Sequence, residues 1–221
     1  VKLRSITLVL CLFFSAISCA NLPEGYVPRE GDIVFQSFPR NPLTDAIEGC
    51  QGSPLSHCGI VAPARGKSKG GTRWVVIEAV GPVKETPLAS WIARGRGKRL
   101  AVYRFDDEKL VASTPAIIAA ARRYLGRPYD LRYQWSDESF YCSELVFKAT
   151  RDATGKRIGK MDRLGDLDWK PHEATIRALE GGNPPLDREM ITPVALTRAP
   201  ELKLLFLSGY VEREGRVVEE E

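Results

Sequence analysis

Two stretches decide how this chain is read: Ser56-His57-Cys58-Gly59-Ile60-Val61 and Tyr141-Cys142-Ser143-Glu144-Leu145-Val146. The first is an apolar run with the look of a strand, entered by a histidine. The second opens an amphipathic helix with a cysteine in its first turn. The chain has 221 residues and only two histidines, His57 and His172, so a cysteine nucleophile has few bases to choose from. His172 stands near Trp169 and Pro171 and reads as a loop residue. The histidine of interest therefore precedes the cysteine in the chain.

Working outward, Pro63 to Thr72 is polar and glycine-rich, hence a loop, and Arg73 to Val80 is the next strand. A simple hairpin about that loop sets Val61 against Trp74, Gly59 against Val76 and His57 against Glu78. The strand period of two puts His57, Gly59 and Val61 on one face, with Cys58 on the other. A slip of one residue would separate the imidazole from the carboxylate. Past Cys142, the residues Leu145, Val146, Ala149 and Ala153 continue one apolar stripe, and Gly155 ends the helix.

The remaining elements follow from local signals. Gly31 to Gln36 reads as a first strand, and Pro42 to Cys50 as a short helix stopped by Gly49. Pro82 to Arg99 is a connection with a helical turn over Leu88 to Ile92, and Leu100 to Phe105 is another strand. Thr114 caps a helix with Pro115 at its first position, and Gly126 closes it. Tyr129 to Ser139 is an aromatic, polar loop or a short strand. Lys156 to Glu189 is loop with short helices, Met190 to Pro193 and Lys203 to Leu207 add edge structure, and the acidic tail from Val218 frays.

Composition sets the bounds. A hydrophobic fraction of 43% supplies a core, and 27% charged residues is ordinary for a globular domain. Lys2 and Arg4 contribute two of the net +4 charges, and what is left is too weak a balance to argue for nucleic acid. Those two residues precede an apolar stretch, Ile6 to Ile17, of about a dozen residues, which is the pattern of a signal peptide and too short to span a bilayer. Two endings of a 1–20 leader fit: cleavage after Ala20, or a resemblance of Ala16-Ile17-Ser18-Cys19 to a bacterial lipobox that would lipidate Cys19. A retained anchor is a third. Either of the first two implies export to the cell envelope, and residues 21–221 then form one domain with an elaborated end over 156–221. Of five cysteines, Cys50, Cys58 and Cys142 lie in the body. A Cys50–Cys58 bridge and two buried thiols are both open readings. No phosphate-binding glycine loop and no His/Cys spacing suited to zinc is present, and no cofactor is expected.

The chemistry is that of an activated thiol. A thiolate is the working nucleophile, and a helix start favours the anion. An imidazole takes its proton and later protonates the leaving group, and the imidazole needs an orienting partner, here Glu78. Backbone N–H groups at the helix start would supply part of an oxyanion hole. Each piece also has a packing reading: Cys142 as a small core residue, His57 as a satisfied core histidine, Glu78 as the partner of an arginine.

Five segments in order, Gly31-Asp32-Ile33-Val34-Phe35, Ser56 to Val61, Val76-Ile77-Glu78-Ala79, Gly126-Arg127-Pro128-Tyr129-Asp130 and Tyr141 to Val146, resemble the circularly permuted NlpC-type papain-like hydrolases of the YiiX/YaeF group. The resemblance covers roughly Gly31 to Gly155, with weaker echoes as far as Ile191-Thr192-Pro193. It implies an α+β fold with a small antiparallel, barrel-like sheet packed on the helix that carries the cysteine. It also implies Cys142 as nucleophile, His57 as base and Glu78 as orienter, with Tyr141 and Tyr129 lining the substrate site. The activity it implies is hydrolysis of an amide, in a peptide, a cell-wall peptide or a γ-glutamyl-type substrate, through a thioacyl-enzyme. Lipid-directed acyl chemistry and a catalytically idle envelope binding module are the alternatives. Cys58 is not part of the pattern and reads as core. The segment Lys156 to Glu189 matches nothing in the family pattern, and a role in shaping the groove is its functional reading.

Overall fold

The computed structural model describes residues 22–66 and 73–220; the expected leader lies outside them. In chain order the elements are β1 (Ile33–Gln36), α1 (Pro42–Gln51), β2 (His57–Pro63), β3 (Trp74–Ala79), β4 (Val83–Pro87), α2 (Leu88–Arg94) and β5 (Leu100–Phe105). Then come α3 (Glu108–Ala112), α4 (Thr114–Arg123), α5 (Cys142–Thr154), β6 (Asp162–Arg163), α6 (Glu173–Glu180), β7 (Glu189–Met190) and α7 (Pro193–Thr197). β8 (Leu202–Ser208), β9 (Tyr210–Arg213) and β10 (Arg216–Glu219) complete the chain.

The main sheet has the order β4-β3-β2-β1-β5-β8, and every neighbouring pair is antiparallel. Both faces of its central strands are covered, which is why they read as continuous apolar runs. One face carries Ile33, Phe35, Cys58, Ile60, Ile77 and Ala101 against Leu145, Val146 and Ala149 of α5 and Ile117 and Ala121 of α4. The other carries Val34, Val61, Val76 and Val102 against Leu88, Trp91 and Ile92 of α2. The helix bearing Cys142 is thus laid directly on the sheet, as expected.

The stripe on α5 is buried through Ala149, and Gly155 closes it in the left-handed conformation at φ 73°. Several local expectations are corrected. The stop for α1 is Gly52, at φ 62°, rather than Gly49. Gly49 lies inside the helix, where a Cβ would fall 1.9 Å from His172 Nε2, so its small size admits that ring. Thr114 belongs to α4, its hydroxyl bonded to the Leu110 carbonyl, and the helix ends at Arg123, before Gly126. Val83 to Pro87, read as a plain connection, is the edge strand β4. The acidic tail is paired rather than frayed: β10 pairs with β9, and Glu219 accepts from Arg96, which also clamps Glu48 of α1. Met190 to Pro193 holds β7 and the start of α7, and Lys203 to Leu207 lies within β8, an edge of the main sheet.

The β2–β3 hairpin forms with a register shifted by two residues from the expected one. Ile60 faces Ile77, Val61 faces Val76 and Pro63 faces Trp74. Continuing that register sets Gly59, not His57, opposite Glu78. A shift of two conserves the parity of side-chain direction, so the faces are as expected and His57 becomes the diagonal neighbour of Glu78.

Candidate active site

His57 is the first residue of β2, and Cys142 the first of α5. Both side chains are buried, as is Glu78. The imidazole Nε2 lies 2.6 Å from Glu78 Oε2, a length typical of a charge-assisted bond. That leaves Nδ1 for a second partner, and Cys142 is close enough to help raise the ring's pKa. The diagonal offset is bridged by side-chain length: glycine at 59 leaves open the space that Glu78 crosses. A Cβ at Gly59 would lie 2.4 Å from Val76 Cγ1, 2.8 Å from the Ile77 carbonyl and 3.3 Å from Glu78 Cβ.

Glu78 has three donors. Besides His57 it accepts from Thr86 Oγ1 at 2.6 Å and from Arg94 Nη2 at 2.5 Å. The two readings of Glu78, histidine partner and arginine partner, are therefore both realised. The imidazole is held from its faces as well. Phe38 stacks on it with centroids 4.3 Å apart, Arg94 sits 5.2 Å above that same phenyl ring, and Trp91 lies 6.0 Å from His57.

The electrostatics are those of an ion pair. Burial works to lower the His57 pKa, but bonds to Cys142 and Glu78 and their charges outweigh it and raise the pKa above 6.5. Burial pushes Glu78 upward, yet hydrogen bonds from His57, Arg94 and Thr86 and the charge of the imidazolium hold it down at about 2. Cys142 is held well below the usual thiol range, chiefly by a hydrogen bond from the Cys58 thiol, with further help from His57 and the Cys58 backbone N–H, against the opposing effect of burial.

Cys58 is the residue that sequence reasoning undervalued. It lies on the sheet face opposite the His57 side and is part of the core, as alternation requires. That face is the one α5 packs on, so the core position abuts the Cys142 sulfur. Burial and the hydrogen bond to Cys142 keep the Cys58 thiol protonated, with its pKa raised well above 9. Cys50, Cys58 and Cys142 are all free thiols, so the Cys50–Cys58 bridge is absent.

Tyr141 is buried, and its hydroxyl accepts from the Ile191 N–H at 3.1 Å, so it pins the chain after β7 to the helix start. The Tyr129 hydroxyl lies 3.4 Å from that of Tyr133, and burial together with Tyr133, Cys142 and Cys58 raises its pKa. Tyr133, in the aromatic loop, lines the cleft that reaches Cys142 and has a left-handed backbone at φ 55°. The cleft has a cavity volume of about 90 Å³, opens to solvent, and is walled by α1, α6, Leu164, Leu167 and the strand end at Met190–Ile191. Its far wall comes from the segment after Gly155 that had no legible pattern.

A family model described as permuted papain-like amidase enzyme, YaeF/YiiX, C92 family, matches residues 27–206. The chain belongs to this family. It is 36% identical over 177 residues to the protein YiiX of Escherichia coli (strain K12), covering 79% of this chain and 84% of that protein. Among solved structures it is similar to the metalloprotein yiiX from Escherichia coli O157:H7, DUF1105, with a TM-score of 0.74 and 34% identity, over 83% of this chain and 99% of that one. Among the described residues of this family member, no three His, Cys, Asp or Glu side chains are grouped so as to hold a metal ion, so its donors do not fit such a site. The family supports a cysteine hydrolase of the amidase kind.

Proposed function

We propose that the chain hydrolyses an amide through a thioacyl-enzyme formed on Cys142, with His57 as base and acid and Glu78 as its orienter. The observation that carries this reading is the 2.6 Å bond from His57 Nε2 to a Glu78 carboxylate held near pKa 2. A histidine that served packing alone would not need a buried anion fixed by Arg94 and Thr86.

In this reading the Cys142 thiolate attacks the carbonyl carbon. The developing oxyanion is met by the Cys142 N–H at the start of α5. The C–N bond breaks as His57 delivers its proton to the amine. Water, deprotonated by His57, then cleaves the thioester, releasing the acid and restoring the ion pair. Glu78 keeps its charge throughout and fixes the tautomer, Nε2–H toward the carboxylate and Nδ1 toward sulfur.

The test is alkylation of Cys142 by iodoacetamide at pH 6, located by peptide mass mapping. Labelling of wild type is expected to exceed that of His57→Ala by at least about tenfold, because without the imidazole the thiol stays protonated. Equal rates in the two proteins would sink the paired-nucleophile reading.

A further inference from the structure

Three arginines of the basic run Arg94 to Arg99 are seated on carboxylates. Arg96 clamps Glu48 and Glu219, Arg99 reaches Glu219 at 3.2 Å, and Arg94 reaches Glu78. The first two tie down the chain's tail; the third enters the proposed site. Leu88, Trp91 and Ile92 seat α2 on Val34, Val61, Val76 and Val102 of the sheet. Arg94 follows Trp91 by three residues, so it lies on the same side of the helix one turn further on, and its guanidinium meets Glu78 of β3. Gly95 lets the end of α2 close on β1: a Cβ there would fall 2.1 Å from Gln36 Oε1.

Arg94 and His57 bond to the same oxygen. Glu78 Oε2 accepts from His57 Nε2 at 2.6 Å and from Arg94 Nη2 at 2.5 Å, while Oε1 accepts from Thr86. The two donor nitrogens are therefore within about 5 Å of each other. Phe38 lies against both cations. An arginine is charged at every working pH. Here it has two opposed effects. It keeps the buried Glu78 ionised, and it weakens that carboxylate's hold on the imidazolium, by sharing the accepting oxygen and by repelling a like charge. A buried carboxylate with the imidazolium as its sole cation would hold the proton more firmly, and such a proton is poorly suited to transfer to a leaving amine. The other titratable groups facing this pair are Cys142 of α5, Cys58 of β2 and, opposite Glu78 on β4, the exposed Lys84.

We infer that Arg94 is a positioning residue that sets the acid strength of His57: by taking a share of Glu78 Oε2 it keeps the orienting carboxylate charged yet leaves the imidazolium able to give its proton to the departing amine. This rests on the reading of His57 as base and acid. Arg94 acts through Glu78, not on the reacting atoms. The sign of its effect separates this role from bracing. A carboxylate strengthens a histidine as a base, and a cation on the same oxygen weakens it, so loss of Arg94 makes His57 a stronger base. If Arg94 only braced α2 against β3, its loss would slacken the His57–Glu78 bond and leave a buried imidazole that protonates less readily.

The test is an NMR titration of ring-labelled histidine in the Cys142→Ala protein, where no thiolate adds to the charge around His57. The chain has only two histidines, so His172→Asn assigns the spectrum. In Arg94→Met the His57 pKa is expected to rise by at least about one unit. Arg94→Gln, which keeps an N–H donor and loses the charge, is expected to raise it by less. Arg94→Lys, which keeps the charge, is expected to return at least half of the rise. A His57 pKa that falls or stays put in the two neutral variants would overturn the inference, as would one higher in Arg94→Lys than in Arg94→Met. Should Arg94→Met fail to fold by circular dichroism, Arg94→Gln decides the sign alone. Because every protein here lacks the Cys142 thiol, the result is independent of the nucleophile reading, which the alkylation experiment decides.

Discussion

Replacing Glu78 by glutamine keeps the shape of the side chain and removes its charge. Glu78 accepts from His57, Arg94 and Thr86 at 2.5 to 2.6 Å, so the variant loses a charge-assisted bond to the imidazole. Such bonds contribute about 1.5–3 kcal/mol, and one pKa unit corresponds to about 1.36 kcal/mol. The His57 pKa should therefore drop by about one to two units. The Cys142 pKa should rise by a similar amount, since its proton now goes to a poorer acceptor. In the proposed site the thiolate–imidazolium pair exists between the lowered pKa of Cys142 and the raised pKa of His57. Glu78→Gln narrows that window from both ends. Alkylation of Cys142 at pH 6 is expected to fall by about ten- to hundredfold, whereas at pH 9 the two proteins should converge, because there the thiol ionises without help.

Stability supplies the control. A carboxyl group whose pKa falls on folding, here from 4.5 to about 2, stabilises the fold above its unfolded pKa. That contribution is lost as pH drops through about 2. For a shift of this size it is of the order of 3 kcal/mol at neutrality. The variant should thus be less stable than wild type at pH 7 and approach it near pH 2, which urea titrations at the two pH values would show. Alkylation must be run where both proteins are folded. An alkylation–pH profile in Glu78→Gln that superimposes on wild type would refute the reasoning, whatever its effect on turnover.

Two further substitutions probe the same geometry. Gly59→Ala forces a Cβ to within 2.4 Å of Val76 Cγ1 and 2.8 Å of the Ile77 carbonyl, so the hairpin must shift. A cost of about 1–3 kcal/mol in urea unfolding is expected, with at least a tenfold loss of pH 6 alkylation from the stretched His57–Glu78 bond; full alkylation in a destabilised protein would show that the bond tolerates the shift. Cys58→Ala removes the thiol that donates to Cys142, and Cys58→Ser keeps a donor. The alanine variant is expected to raise the Cys142 pKa by about one unit and the serine variant to restore it, read from alkylation–pH profiles; identical profiles would leave Cys58 a packing residue only.

Much of the site was legible because it depends on periodicity. The α5 stripe, its first-turn cysteine and its terminal Gly155 follow from helical spacing and backbone sterics, and the structure has all three. The His57–Glu78 pairing rested on an assumed register that differs by two from the observed one. It held because strand direction repeats every two residues, and because a glutamate and an imidazole are long enough to meet diagonally. What was illegible depends on contacts distant in sequence. β4 has a single fully buried residue, Val83, so it carries no apolar run to read. The tail is held by Arg96 and Arg99, more than a hundred residues away. The cleft wall over 164–190 is made of 3-10 turns, two-residue strands and the eight-residue α6, none long enough to show a period.

Cys58 is a different case: alternation placed it in the core, and there it lies. Alternation gave the correct face, but it does not say which residue of the covering helix abuts that face. The groups of the proposed site stand at element ends: His57 begins β2, and Cys142 begins α5. At a strand end, the residue after the histidine points to the helix layer, and α5 brings its first residue onto that side. Whatever occupies position 58 therefore stands against the Cys142 sulfur. A valine or isoleucine there would exclude water and offer no side-chain donor. Cysteine excludes water equally well and adds an S–H donor that, being buried and raised in pKa, does not ionise in competition with Cys142. The thiolate thus has donors from two elements, the β2 backbone and side chain at Cys58 and the imidazole of His57, before any substrate arrives. That arrangement lets an anion persist in a buried, largely apolar setting, where an unpaired charge would be neutralised.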